Sequence, residues 1–181
     1  MVITHPKHLE LNEQYADIEK SPLMKEDLKK FVSLNFYPEN EDFKVKAAFV
    51  LTPNEKPFEM KTSTERLPVY RKYGQLTFKV KGIEESLAAY QNQAFIGDPE
   101  YGNSLFIPYL DETNGIETYG GGRYIDIEIP AEGADSILLD LNESYNPYCA
   151  YNYKYSCPKP PLENVLDMKV EAGVKTGIIK R

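Results

Sequence analysis

Apolar residues at the start of the chain recur at helical spacing. Leu9, Leu11, Tyr15 and Ile18 follow one helical face, and Leu23, Met24, Leu28, Phe31 and Val32 return at three- and four-residue intervals. Between the two sets, Ser21 supplies an N-cap hydroxyl and Pro22 suits a first helical position. The spacing predicts two helices within residues 7–34, each packing one stripe on the body of the domain. Lys25, Glu26, Lys29 and Lys30 form their solvated face.

From residue 35 the period changes to two. Phe43, Val45, Ala47, Phe49 and Leu51 alternate with Lys44 and Lys46 before the row turns apolar, which predicts a strand. Thr52 to Pro57 reads as a turn and Phe58 to Thr62 as a return strand. Leu76, Phe78 and Val80 mark another strand, bracketed by Gly74 and Gly82, whereas Ile83 to Gln91 fits a helical turn or a strand. Further strands are predicted at Leu105–Leu110, Tyr124–Ile129 and Ile137–Asn142, separated by turn signals at Gly97–Gly102, Asn114-Gly115 and Gly120–Gly122.

Short strands at this spacing predict an α+β, mainly β fold. N-terminal helices pack on a curled antiparallel sheet or barrel, with a long Pro/Tyr/Cys loop near the C-terminus. One domain spans residues 1–181: a helical segment over 1–34 and a mainly β body over 35–181. The loop is Tyr145 to Asn164, which holds both cysteines and four prolines. The prolines forbid a continuous hydrogen-bonded element, so the loop is expected to be a rigid strap.

Charge narrows the partners. Lys and Arg total 21 against 28 acidic residues, a net charge of −7, which disfavours nucleic acid and anionic membranes. The N-terminus lacks a signal-peptide pattern and no apolar run approaches a membrane span, so the chain is read as cytoplasmic. Its two cysteines are then expected to be reduced.

Several groups could carry chemistry. Asp140 and Asn142 share a strand face immediately before the strap, and either belong to a solvated sheet face or face a barrel interior or cleft, where they orient the loop or a ligand. Gly120–Gly122 with Arg123 either offers backbone N–H groups and a guanidinium to an anion or forms a hairpin connection. Asp111, Asp140 and Glu163 are candidates for paired carboxylates. Cys149 and Cys157 are free thiols, a disulfide pair, or half of a zinc set completed by His5 and His8. Two histidines are too few for a convincing metal site, so no metal and no cofactor are expected. Tyr151, Tyr153 and Tyr155 would share one face of an extended segment, as a stacking surface or as packing.

These residues also form a recognisable set. Asp111-x-Thr113-x-Gly115-x-x-Thr118-Tyr119 followed by Gly122-Arg123-Tyr124 resembles the D-x-T-x-G-x-x-T-Y…R-[FY]-[LI] run of the bacterial and archaeal family called domain of unknown function 1684. Leu139-Asp140-Leu141-Asn142, Tyr145-Asn146-Pro147 and Cys149-Ala150 are similar to its LDFN-x-AYNPPCA segment. Ser156-Cys157-Pro158, Pro160-Pro161 and Glu163-Asn164 are similar to its TCPLPPPEN segment, and Glu171-Ala172-Gly173 to its x-AGEK. The chain departs at Leu141, Ser144, Tyr148 and Val174, and it has no tryptophan-rich N-terminal region like that of longer members.

The resemblance implies that Asp111, Arg123, Asp140, Asn142, Cys149, Cys157 and Asn164 belong to one motif set. If the N-terminal region of longer members contributes to a site, the resemblance implies that the site here is either reduced or completed by a partner subunit, as in a homodimer. Three functions are weighed. The first is binding of an anionic, partly apolar small molecule by Thr113, Tyr119, Arg123, Asn142, Tyr145, Asn146, Cys157, Glu163 and Asn164. The second is a hydrolase or transferase using Cys149 or the Asp111/Asp140 pair, and the third is a structural or interaction domain.

Overall fold

The structure, a computed structural model, describes residues 3–181. The first helix forms where the spacing predicts it: α1 spans Pro6–Ala16, capped by His5, and buries His8, Leu11 and Tyr15. The second does not. Only one turn, α2 (Lys25–Leu28), is helical, and its cap is Met24 rather than Ser21. Phe31–Phe36 is a strand, β1, in which Phe31, Leu34 and Phe36 are buried. Its antiparallel partner is β9 (Val174–Lys180) at the other end of the chain. A backbone ladder supplied from so far away outweighs local helical spacing, which alone cannot stabilise a short helix.

The body is a strongly curled antiparallel half-barrel. Its strands are β2 (Lys44–Leu51), β3 (Phe58–Glu59), β4 (Val69–Val80), β5 (Ile83–Asn92), β6 (Ser104–Tyr109), β7 (Arg123–Glu128) and β8 (Ser136–Asp140). Among the described residues they run in the order β7-β6-β5-β4-β2-β8, with β3 beside β4, so β7 and β8 are the edges. Ile83 to Asn92 is therefore a strand throughout. Lys81 and Gly82, both at positive φ, make the tight turn that joins it to β4. Gly74 does not bracket β4 but lies inside it, at a bulge, where a Cβ would strike the Phe49 ring at 2.4 Å.

The concave face of the sheet buries Ala47, Phe49, Leu76, Phe78, Leu87, Leu105, Ile107 and Leu139. Residues 165–172 supply the other wall without forming a ladder strand. Leu166, Met168, Val170 and Ala172 enter the same core, while Val165, Asp167, Lys169 and Glu171 stay exposed. This alternation in VLDMKVEA is a plug that fills the half-barrel. Tyr15, Leu23 and Leu34 form a second core under α1, between the β1–β9 ribbon and the strap.

Candidate functional site

The strap Tyr145–Asn164 runs as short 3₁₀ turns, at Tyr148–Ala150 and Leu162–Asn164, joined by extended proline-bearing links. One side is tied to the loop after β3. The Ser63 N–H donates to Cys157 O (2.9 Å), the Cys157 N–H donates to Ser63 Oγ (3.1 Å), and Arg66 donates to Ser156 O (2.8 Å). Sequence reasoning passed over this Thr62–Arg66 loop. Its run of hydroxyl residues, in which Thr62 Oγ1 caps Arg66 O, was the available signal. Tyr151, Tyr153 and Tyr155 do not share a face, because the segment turns. Tyr151 packs edge-on to Tyr15 and Tyr155 edge-on to Tyr148, while Tyr153 points to solvent.

Several expected ligand-binding residues are instead buried fasteners. Arg123 is fully buried; its Nη1 donates to Ala172 O and its Nη2 to Val170 O at 2.8 Å. It faces Asp111 at 3.4 Å, and neither side chain is exposed. Gly122, at φ 93°, sets up this position: a Cβ there would lie 2.6 Å from Tyr109 O. Asp111 also accepts from Thr113 Oγ1 and from the Val170 N–H at 2.7 Å. The guanidinium, fully buried, clamps the plug through the plug's carbonyls.

Asn142 bonds both backbone groups of Asn40, and Asn146 donates to Lys175 O and the Tyr151 hydroxyl. Asn164 bridges Ala88 and Pro108. Tyr145 is half-buried, with its hydroxyl on Asp126. Among the described residues, Asp111 and Asp140 share no hydrogen-bond partner: Asp111 is bound to Thr113, Arg123 and Val170, and Asp140 to His5 and Asn142.

Asp140 projects beside Asn142 as expected, through a 3₁₀ turn (Leu141–Glu143) instead of strand alternation; its Oδ1 accepts from the Asn142 N–H at 2.9 Å. His5 Nε2 meets its other oxygen at 3.1 Å. His5, Asp140 and Glu143 place ligand atoms within 4.8 Å of one another. The donor set does not suit a cation, since His5 Nδ1 accepts the Lys7 N–H and so Nε2 carries the ring proton.

His8 donates from Nε2 to Asn142 O at 2.7 Å and stacks on Phe36. Burial, partly offset by that hydrogen bond, lowers its pKa below the ordinary 6.5. The unfolded chain then takes up the proton first, so stability falls as pH drops below about 6.5. Urea denaturation between pH 7 and pH 5 is expected to show a smaller acid loss in His8→Gln than in wild type. Equal losses would exclude this histidine as the source.

The two thiols meet in the strap. Cys149 is half-exposed and Cys157 is buried, and the Cys149 N–H points at Cys157 Sγ from 3.2 Å. The Tyr119 hydroxyl lies 3.6 Å from Cys149 Sγ. A hydrogen bond from Cys157 lowers the Cys149 pKa to about 6, against the upward push of burial and with help from Tyr119. Cys157 shifts the other way, through that same hydrogen bond and its own burial. Neither histidine reaches them, as His5 and His8 are committed to Asp140 and Asn142.

A separate cleft of about 830 Å³ opens between the β2–β3 turn and the end of the strap. Leu51, Pro57 and Phe58 form apolar walls, and Lys72, Tyr90 and Glu163 form its polar floor. Tyr90 donates to one Glu163 oxygen at 2.5 Å and Lys72 Nζ to the other at 2.8 Å. Burial alone would raise the Glu163 pKa, but these two donors bring it below the ordinary value, so the carboxylate stays charged. Of the expected ligand-binding residues, Glu163 lines this cleft, beside Lys72, which no sequence motif marks.

Residues 29–175 match the family model described as "Protein of unknown function (DUF1684)". Comparison with curated proteins found no match. Among solved structures, the chain is similar to the solution NMR structure of an uncharacterized protein of Haloarcula marismortui. The two share 30% identity with a TM-score of 0.73, over 93% of this chain and 90% of that one. No helix among the described residues is long and apolar enough to cross a membrane.

Proposed function

This chain belongs to the protein family of unknown function DUF1684, and we propose that it is a small-molecule-binding β domain whose ligand is anionic and partly apolar. The hydrogen-bonding balance of the cleft at Lys72 carries the reading. Each Glu163 oxygen already accepts one hydrogen bond, and the Lys72 ammonium has three protons and one protein acceptor among the described residues. The two remaining Lys72 protons are cationic donors that a carboxylate or phosphate oxygen would accept. Leu51, Phe58 and the adjoining prolines would cover an apolar body attached to that group. The protein's net charge of −7 works against polyanions, so one or two negative charges suit this cleft better than a nucleic acid.

A panel of small carboxylates and phosphates with aliphatic or aromatic bodies, read by amide NMR shifts, tests the proposal. Shifts are expected at Lys72, Phe58 and Tyr90. Loss of a charge-assisted hydrogen bond in Lys72→Met should weaken binding about 10- to 100-fold, with the fold intact. A panel that leaves the cleft unshifted, or equal affinity in Lys72→Met, would overturn the assignment.

A further inference from the structure

A second site, independent of the cleft, lies in the strap. Pro147 fixes the start of the turn that bears Cys149, and Pro158 restricts the backbone of Cys157 before it. The loop Thr62–Arg66 anchors the Cys157 side through paired backbone and hydroxyl hydrogen bonds. Cys149 faces solvent in part, with Cys157 directly behind it, and both are free thiols. A half-exposed sulfur backed by a buried one is the arrangement thiol–disulfide exchange requires: one thiol to attack and one to resolve.

We propose that Cys149 and Cys157 form a redox-active dithiol that reduces small, solvent-borne disulfides, with Cys149 attacking and Cys157 resolving. The Cys149 thiolate attacks one sulfur of R–S–S–R, forming a mixed disulfide and expelling RS⁻. The Cys157 sulfur then attacks Cys149 Sγ, forming the Cys149–Cys157 disulfide and breaking the bond to the second RS group. That group leaves as RSH with the Cys157 proton. The dithiol loses two electrons and the disulfide gains them, so no further reactant is required.

The division of labour follows from the surroundings. The attacking thiol is the accessible one, and its hydrogen bonds favour the thiolate. The resolving thiol is held protonated by burial and by its neighbour until the mixed disulfide removes the Cys149 charge. Tyr119 is a positioning residue whose hydroxyl, 3.6 Å from the Cys149 sulfur, can donate to the thiolate.

Oxidised glutathione is the probe, with intact-mass measurement under non-reducing conditions. Wild type is expected to become two hydrogens lighter and to lose both titratable thiols. Cys157→Ser should stop as a single glutathione adduct on Cys149, and Cys149→Ser should acquire none. The pH midpoint of Cys149 alkylation is expected near 6, and Tyr119→Phe should move it upward without loss of fold. A wild-type protein that keeps its thiols or halts at the adduct would overturn the proposal. So would an adduct on Cys157, or an alkylation midpoint at the ordinary value of about 8.5. If the serine variants fail to fold, the wild-type mass and the midpoint still decide.

Discussion

Asp111→Asn is expected to destabilise the protein by about 3–5 kcal/mol, the cost of leaving a buried cation without its counter-charge. Both members of the pair are completely buried, so neither can recover hydration when the other is lost. The substitution also sets an amide N–H₂ against the Val170 N–H or against the Arg123 guanidinium, according to which oxygen it replaces. Equilibrium denaturation in urea measures the loss, and amide hydrogen exchange locates it. Protection should fall first at residues 165–174, the plug that Arg123 holds by its carbonyls.

A double variant in which Arg123→Met accompanies Asp111→Asn should recover only part of the stability. Replacing a buried pair by apolar groups is often neutral, but here Val170 O and Ala172 O would lose their donor. Full recovery, or a loss under about 1 kcal/mol in Asp111→Asn, would show that the plug is held by apolar packing alone.

Asn164→Ala carries the second large effect, on the order of 3–5 kcal/mol, from roughly 1–3 kcal/mol for each buried backbone group left unmatched. β5 and β6 share a single ladder pair, Tyr90 with Phe106. Beyond it the strands splay, and Pro108 has no N–H to offer. The buried Asn164 side chain closes the gap, accepting from the Ala88 N–H at 2.8 Å and donating to Ala88 O at 2.9 Å and Pro108 O at 2.8 Å. Asn164→Asp keeps the acceptor but loses both donations and buries a charge, so it should be at least as damaging as alanine. Thermal melting of the pair tests the order; an aspartate variant more stable than the alanine one would contradict the bridging role.

The resemblance to the family pointed to these residues as a set, and the structure brings many of them to the join between plug, strap and half-barrel. It does not bring them to one concavity. Asp111, Arg123, Asn142, Asn146 and Asn164 spend their hydrogen bonds on backbone groups that lack a ladder partner, as irregular segments in a core require. Motif spacing reports that polar residues are needed. Whether an oxygen meets a ligand or a peptide group depends on which segment passes in front of it. Cys149, Tyr119 and Glu163 keep some exposure and carry the functional proposals.

Much of the architecture was legible because it is local. Period-two runs placed most strands of the half-barrel though not Ile83–Asn92, glycine and asparagine placed the turns except at Gly74, and proline density marked Tyr145–Asn164 as a strap. The alternation at 165–172, which none of the predicted strands included, marks the plug, although no ladder follows from it. What the tertiary structure alone decided are the pairings between distant parts. Phe31–Phe36 is a strand because Val174–Lys180 lies beside it. Arg123 is a clamp because Val170 and Ala172 lie across from it. Lys72 belongs to a cleft because the strap returns Glu163 to it. Side-chain period depends on a residue's neighbours in sequence, whereas partner choice depends on desolvation and hydrogen bonding across the folded chain, which no local pattern encodes.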